Sequence, residues 1–178
     1  MIITITGTPG VGKTYIAKRL AGKNFEYFDL NKYIKEKKLF DNYDKKAKTY
    51  DVNVKKIKNS DYIFEKNLGV KSNGLKKLLK LFGNKTKNEK TTIKKIKFTE
   101  LKKLLQKEEG VIIDSHLSHY LKSDLCIVVK SDIKKIRMQL NERKYSKNKI
   151  EDNIQSEIFD ICLEEARKEK NNVIILEN

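Results

Sequence analysis

Proline occurs once in this chain, at Pro9, so no stretch reads as a proline-rich linker between separate domains. Cysteine occurs twice, at Cys126 and Cys162, each in an apolar setting (LCIVV and IFDICL). Neither has the paired spacing of a metal site or a redox couple. Both are expected to be small buried hydrophobes in a reducing compartment. Long apolar runs are missing too: none approaches the about 18 residues of a membrane span. The N-terminus shows no basic segment leading into a leader-like apolar stretch. These absences point to a soluble, cytoplasmic protein with no membrane partner. Acids are scarce relative to bases, 24 against 40, which leaves a formal net charge of +16. Such a field attracts phosphorylated ligands and polyanions. It also simply keeps a surface soluble, and charge alone does not separate the two.

What is present fits a single domain, 1–178, with or without an inserted piece. A chain of this size buries roughly 70% of its unfolded surface, enough for a real core. IITIT at 2–6 is short, β-branched and stopped by Gly7, which predicts a buried strand. A helix is expected over 14–20, a short strand over 25–28 and a helix over 30–39. Residues 40–56 read as loop and short helix. Thr99 and Gly110 bracket an apolar-periodic helix at 98–110. Strands follow at 111–114 and 124–130, then helices at 133–143 and 150–168, then a last strand in NVIILEN. This alternation is that of a parallel sheet covered on both faces.

From about 58 to 98 the chain changes character. Between Lys66 and Lys97 stand eleven lysines and one acid, Glu89, a local balance of +10. LKKLLKLF within it spaces its leucines as a helix with one apolar and one basic face.

The first chemical signal is Gly7-Thr8-Pro9-Gly10-Val11-Gly12-Lys13-Thr14, a full G-x-x-x-x-G-K-[ST] match between a predicted strand and a predicted helix. Glycines let such a loop curl so that its N–H groups point inward as an anion nest. The helix N-terminus adds partial positive charge. Lys13 is placed to reach the β- and γ-phosphates and the Thr14 hydroxyl to ligate Mg²⁺, so the loop is built for a nucleoside triphosphate, ATP first of all. The second signal is VIIDSHLSHYL at 111–121. An acid ending an apolar strand, here Asp114, is where P-loop enzymes order Mg²⁺. His116 reads either as a group positioning a water or an acceptor oxygen, or as a surface-loop polar residue. His119 reads as the latter, and the pair is weak evidence for a metal site. The third is NERKYSKNKIEDN at 141–153, where Arg143 and Lys149 sit in a basic turn that either covers a bound triphosphate or is a solvated charge run.

Together, GTPGVGKT, DLNKYIKEKKLFDNYD, IIDSHLSHYL and ERKYSKNKIEDNIQSEIFDICLEEA resemble the archaeal adenylate kinases related to the eukaryotic nuclear adenylate kinase/ATPase of small-ribosomal-subunit maturation. The resemblance covers 1–57 and about 98–178. It implies an α/β fold: a three-layer α/β/α P-loop domain like the nucleoside monophosphate kinases, with a five-stranded parallel sheet. It implies ATP contacts at Gly10, Gly12, Lys13, Thr14, Tyr15 and Arg143. It implies Mg²⁺ at Thr14 and Asp114, and catalytic roles for Lys13, Asp114, His116 and Arg143. The monophosphate-binding segment falls at about 29–52 and the lid at 142–152. Tyr15 stands where a small hydroxyl residue is usual, Lys144 where glycine usually follows the lid arginine, and the segment at about 58–97 is an insert.

The function implied is Mg²⁺-dependent transfer of the ATP γ-phosphate to AMP, with ATPase activity and a role in rRNA maturation. Partners implied are AMP, a small-subunit ribosomal protein and, through the basic insert, rRNA. Two alternatives are a ribosome-assembly ATPase with little AMP kinase activity and a P-loop kinase for another small metabolite. Arginine occurs only at 19, 137, 143 and 167, so no arginine cluster awaits a carboxylate such as shikimate or gluconate.

Overall fold

In the computed structural model, residues 1–45, 49–58, 92–169 and 172–178 are described. The elements among them are β1 (Ile2–Thr6), α1 (Lys13–Ala21), β2 (Phe25–Asp29), α2 (Leu30–Glu36), β3 (Asn42–Asp44), β4 (Thr49–Asp51), α3 (Val54–Lys58), β5 (Thr92–Lys95), α4 (Phe98–Leu105), β6 (Gly110–Asp114), a 3₁₀ turn (Ser118–Tyr120), β7 (Leu125–Lys130), α5 (Ile133–Glu142), α6 (Lys147–Ile158), α7 (Ile161–Glu169) and β8 (Asn172–Glu177). Six strands form one parallel sheet in the order β2-β6-β1-β7-β8-β5.

Side chains alternate across these strands, and the two faces collect separate cores. Ile3, Ile5, Ile112, Ile127 and Val129 pack with Ile16 and Leu20 of α1, Leu101 of α4, Ile136 and Leu140 of α5, and Ile150 and Ile154 of α6. On the opposite face Val111 and Ile113 meet Leu30, Ile34 and Ile57, while Cys126, Val128 and Val173 meet Leu163 and Ala166 of α7. The result is a three-layer α/β/α domain. Full burial of each such aliphatic contributes about 1.5–3 kcal/mol. Because β6 inserts between β1 and β2, the chain leaves the C-terminal ends of β1 and β6 side by side, with Ile5 opposite Asp114. Such a reversal of strand order is where open α/β sheets hold their ligands.

The sheet has six strands, not the expected five. The extra one, β5, lies in the stretch read as insert and pairs with β8 from Thr92↔Asn172 to Lys95↔Ile175. Its lysines hid it from pattern reading, yet lysine suits an edge strand, where it discourages pairing with other chains. Within 40–56 the strands β3 and β4 pair antiparallel where loop was expected, while the expected short helix is present as α3, which begins at Val54. The helix expected over 150–168 is two helices, broken at Asp160, whose φ of 55° is left-handed. Thr99 does not cap α4: Lys97 holds the capping position, without a side-chain bond. The amphipathic helix read in LKKLLKLF lies outside the described residues. Among the described residues no helix is long and apolar enough to cross a membrane.

Candidate functional site

The loop after β1 turns tightly under the sheet. A Cβ on Gly7 would stand 2.3 Å from the Val129 carbonyl oxygen, so only glycine lets β1 and β7 stay this close. Gly12, at φ 90°, precedes α1 in a conformation that L side chains disfavour. No side chain caps α1, so its first-turn N–H groups remain open toward the cleft. Lys13 Nζ donates to the Thr8 carbonyl at 2.9 Å, folded back onto the loop. Burial pushes the Lys13 pKa down to about 8, against the pull of the Asp114 carboxylate.

Asp114 ends β6 and is 3% exposed. Its Oδ2 accepts from Thr14 Oγ1 at 2.6 Å and from the Tyr27 phenol at 3.1 Å. Its Oδ1 is buried with no hydrogen-bond partner. A bare carboxylate oxygen beside a hydroxyl is a fit for a hard cation, and Mg²⁺ bound with phosphates needs only one or two such protein ligands. Among the described residues no group of three or more His, Cys, Asp or Glu converges as an all-protein metal site.

His116 is exposed on the cleft wall. Desolvation by the walls, and then repulsion from Lys13, lower its pKa to about 4. Water reaching the ring offsets part of that desolvation, and the direction leaves a neutral imidazole at pH 7. Ser115 Oγ donates to Asn31 Oδ1 at 2.9 Å and accepts from the Leu117 N–H at 3.0 Å, which anchors this loop to α2. His119, expected as a polar residue on a surface loop, does not lie at the surface. It is buried, with Nδ1 2.8 Å from Thr6 Oγ1 and Nε2 3.2 Å from Glu165 Oε2.

These elements enclose a cleft of about 1370 Å³. Gly10, Gly12, Lys13, Thr14, Tyr15, Asp114, His116 and Arg143 all line it, and so does Lys149. Its second wall comes from α2 and the hairpin, through Asn31, Lys35, Thr49 and Tyr50. Arg143 follows the last residue of α5. Lys144 after it has φ 56°, the left-handed geometry that glycine meets without strain.

Three residues at the site were given no role by the sequence, although Glu157 and Cys162 fall within the ERKYSKNKIEDNIQSEIFDICLEEA stretch that carries the resemblance. Tyr27 on β2 reaches Asp114 across strands. Glu157 of α6, 6% exposed, accepts from Thr8 Oγ1 at 2.6 Å. Cys162 is only partly buried and lines the cleft, unlike fully buried Cys126. Desolvation pushes its thiol up to about 11, so it stays protonated at neutral pH. Spacing alone does not assign these roles, because the tertiary fold brings Tyr27 to Asp114, Glu157 to Thr8 and Cys162 to the cleft.

The family described as AAA domain matches residues 3–160. A protein of Thermococcus kodakarensis provisionally named adenylate kinase is 34% identical over 98% of this chain and 74% of its own length. A protein of Methanocaldococcus jannaschii with the same provisional name is 29% identical over 94% of this chain and 72% of its own. The adenylate kinase isoenzyme 6 homolog of Schizosaccharomyces pombe is 32% identical over 98% of this chain and 79% of its own. Among solved structures, a shikimate kinase from Bacteroides thetaiotaomicron aligns with 98% of this chain and 84% of its own at TM-score 0.44 and 14% identity, a likeness too slight to carry an argument. With a family match across most of its length and relatives above 30% identity, the chain belongs to the P-loop kinase family that includes these archaeal proteins and the isoenzyme 6 homolog.

Proposed function

We propose that the chain is a Mg²⁺-dependent adenylate kinase that transfers the γ-phosphate of ATP to AMP in the cytoplasm. The observation that carries this reading is one cleft lined on one side by the phosphate loop and Asp114 and on the other by Asn31, Lys35 and Tyr50. A cleft of about 1370 Å³ exceeds the roughly 300–1,000 Å³ usual for one ligand, as a site for two nucleotides requires.

In this reading the loop N–H groups and Lys13 hold the donor phosphates, with Lys13 leaving the Thr8 carbonyl for them. Thr14 Oγ1 and Asp114 hold Mg²⁺, which supplies charge neutralisation at the phosphates. Tyr27 keeps Asp114 oriented. Arg143, at the end of α5, adds positive charge over the migrating group. Neutral His116 helps position the acceptor. An AMP phosphate oxygen attacks the γ-phosphorus, the bond to the β–γ bridging oxygen breaks, and two ADP result. Nucleotides filling the cleft would displace water that otherwise competes as an acceptor.

A second reading is an ATPase with a role in small-subunit rRNA maturation, its partners a ribosomal protein and rRNA. The +10 balance between Lys66 and Lys97 favours it. One assay separates the two: ATP turnover with Mg²⁺, with and without AMP, following ADP and inorganic phosphate separately, in wild type and Lys13→Ala. Two ADP without free phosphate, abolished in Lys13→Ala, is the expected result. Phosphate release regardless of AMP would overturn the kinase reading in favour of the ATPase.

A further inference from the structure

Glu157 is a buried carboxylate that the proposed phosphoryl transfer leaves without a role. Burying a carboxylate is costly unless its charge is compensated, and an uncharged side chain would fill the place more cheaply. Its two oxygens meet neutral donors: Oε2 accepts from Thr8 Oγ1 at 2.6 Å and Oε1 from the Ser131 N–H at 3.3 Å. Among the described residues no ion pair involves it, and the Lys13 ammonium acts on it through charge without direct contact.

Thr8 is the second residue of the phosphate loop and is itself buried. Its side chain points at Glu157, while its carbonyl accepts from Lys13 Nζ at 2.9 Å and from the Val11 N–H at 3.3 Å. Fixing the hydroxyl therefore fixes the orientation of the residue on which Lys13 rests. The loop has a second point of support nearby. A Cβ on Gly10 would lie 3.2 Å from Leu140 and 3.3 Å from Ile136, so α5 packs directly against the loop. Helices α5 and α6 are joined by the turn that holds Arg143. One helix of the pair thus touches the loop by packing and the other by a charge-assisted hydrogen bond, the stronger kind.

We propose that Glu157 is a positioning residue: through Thr8 it holds the phosphate loop in its anion-binding shape and ties it to the helix pair that carries Arg143. This rests on the reading that the loop binds ATP, and not on the identity of the acceptor. The carboxylate is an acceptor with two fixed tasks, one in the loop and one at Ser131, the residue after β7. A shorter side chain performs neither. Glutamine keeps an oxygen for Thr8.

The test is the dissociation constant of Mg-ATP measured by calorimetry on the full chain, with thermal unfolding in parallel. Glu157→Ala should weaken ATP binding about tenfold, while Glu157→Gln stays within about threefold of wild type. Thr8→Val should weaken binding as Glu157→Ala does. Adding Glu157→Ala to Thr8→Val should cost little more, because the two act in one chain. A Glu157→Ala protein that unfolds earlier but binds ATP as tightly as wild type would reduce Glu157 to a packing residue and overturn the proposal. Fully additive effects of the two substitutions would overturn it as well. Should Glu157→Ala fail to fold, Thr8→Val decides: unchanged ATP affinity there refutes the coupling. Transfer to AMP plays no part in this readout, so a failed kinase assay leaves it interpretable.

Discussion

Replacing Lys144 by glycine should stabilise the protein, although it removes a side chain and adds no contact. Arg143 follows the end of α5, Lys144 comes next at φ 56°, and the chain closes with two reversed hydrogen bonds. The Lys144 N–H donates to the Asn141 carbonyl at 2.8 Å and the Tyr145 N–H to the Leu140 carbonyl at 3.2 Å. This is the Schellman closure of a helix, and its left-handed residue is ordinarily glycine. A residue with a Cβ in that conformation costs about 1–2 kcal/mol. Glycine removes that strain but gives the unfolded chain more freedom, worth about 0.5–1 kcal/mol in the other direction. The net gain is about 0.5–1 kcal/mol. For a chain of this size, it corresponds to a rise of about 1–4 °C in the unfolding midpoint. Urea denaturation provides the assay, read as a higher midpoint with an unchanged slope. Lys144→Ala is the control and should gain nothing, since its Cβ remains. A Lys144→Gly protein no more stable than wild type, with the same slope, would refute the strain argument and assign the lysine side chain a stabilising contact of its own.

Asp114→Asn should lower the turnover rate about 100-fold or more and raise the Mg²⁺ concentration needed for half-maximal rate, since the amide still accepts a hydrogen bond but carries no charge. A Mg²⁺ titration of the rate checks this, and unchanged Mg²⁺ dependence would remove Asp114 from the metal site. The cleft walls and Lys13 hold the His116 pKa below its ordinary 6.5, less far than full burial would because water reaches the ring, so on acidification the unfolded chain takes up the proton first. Stability should therefore fall as the pH drops below about 6.5 and be unaffected by this group well above that value. His116→Gln should lose less stability than wild type between pH 7 and pH 4.5. Parallel urea melts at the two pH values measure the difference, and identical losses would place the ring outside the desolvated cleft.

Much of the candidate site was legible because its parts are contiguous. Residues 7–14 carry both the glycines that shape the loop and the lysine and threonine that use it. Asp114 was legible because an acid closing an apolar strand has a position as well as a charge. Periodicity served the core strands well for the same local reason. It failed at β5, where lysines mask an edge strand, and at the hairpin, whose short strands are exposed on every residue. It also ran α6 and α7 together, because a single left-handed residue at Asp160 leaves no mark on hydrophobic spacing.

By itself, then, the sequence determined the phosphate loop, the alternation of strands and helices, and the basic character of the surface, all properties of neighbouring residues. Only the tertiary structure decided which strand lies beside which, and hence that Asp114 stands next to Thr14 and under Tyr27. It alone brought Glu157 beneath Thr8, 149 positions earlier in the chain. Propensity and periodicity act within a few residues. Partners at such separations are chosen by sheet order and helix packing, which no local pattern encodes.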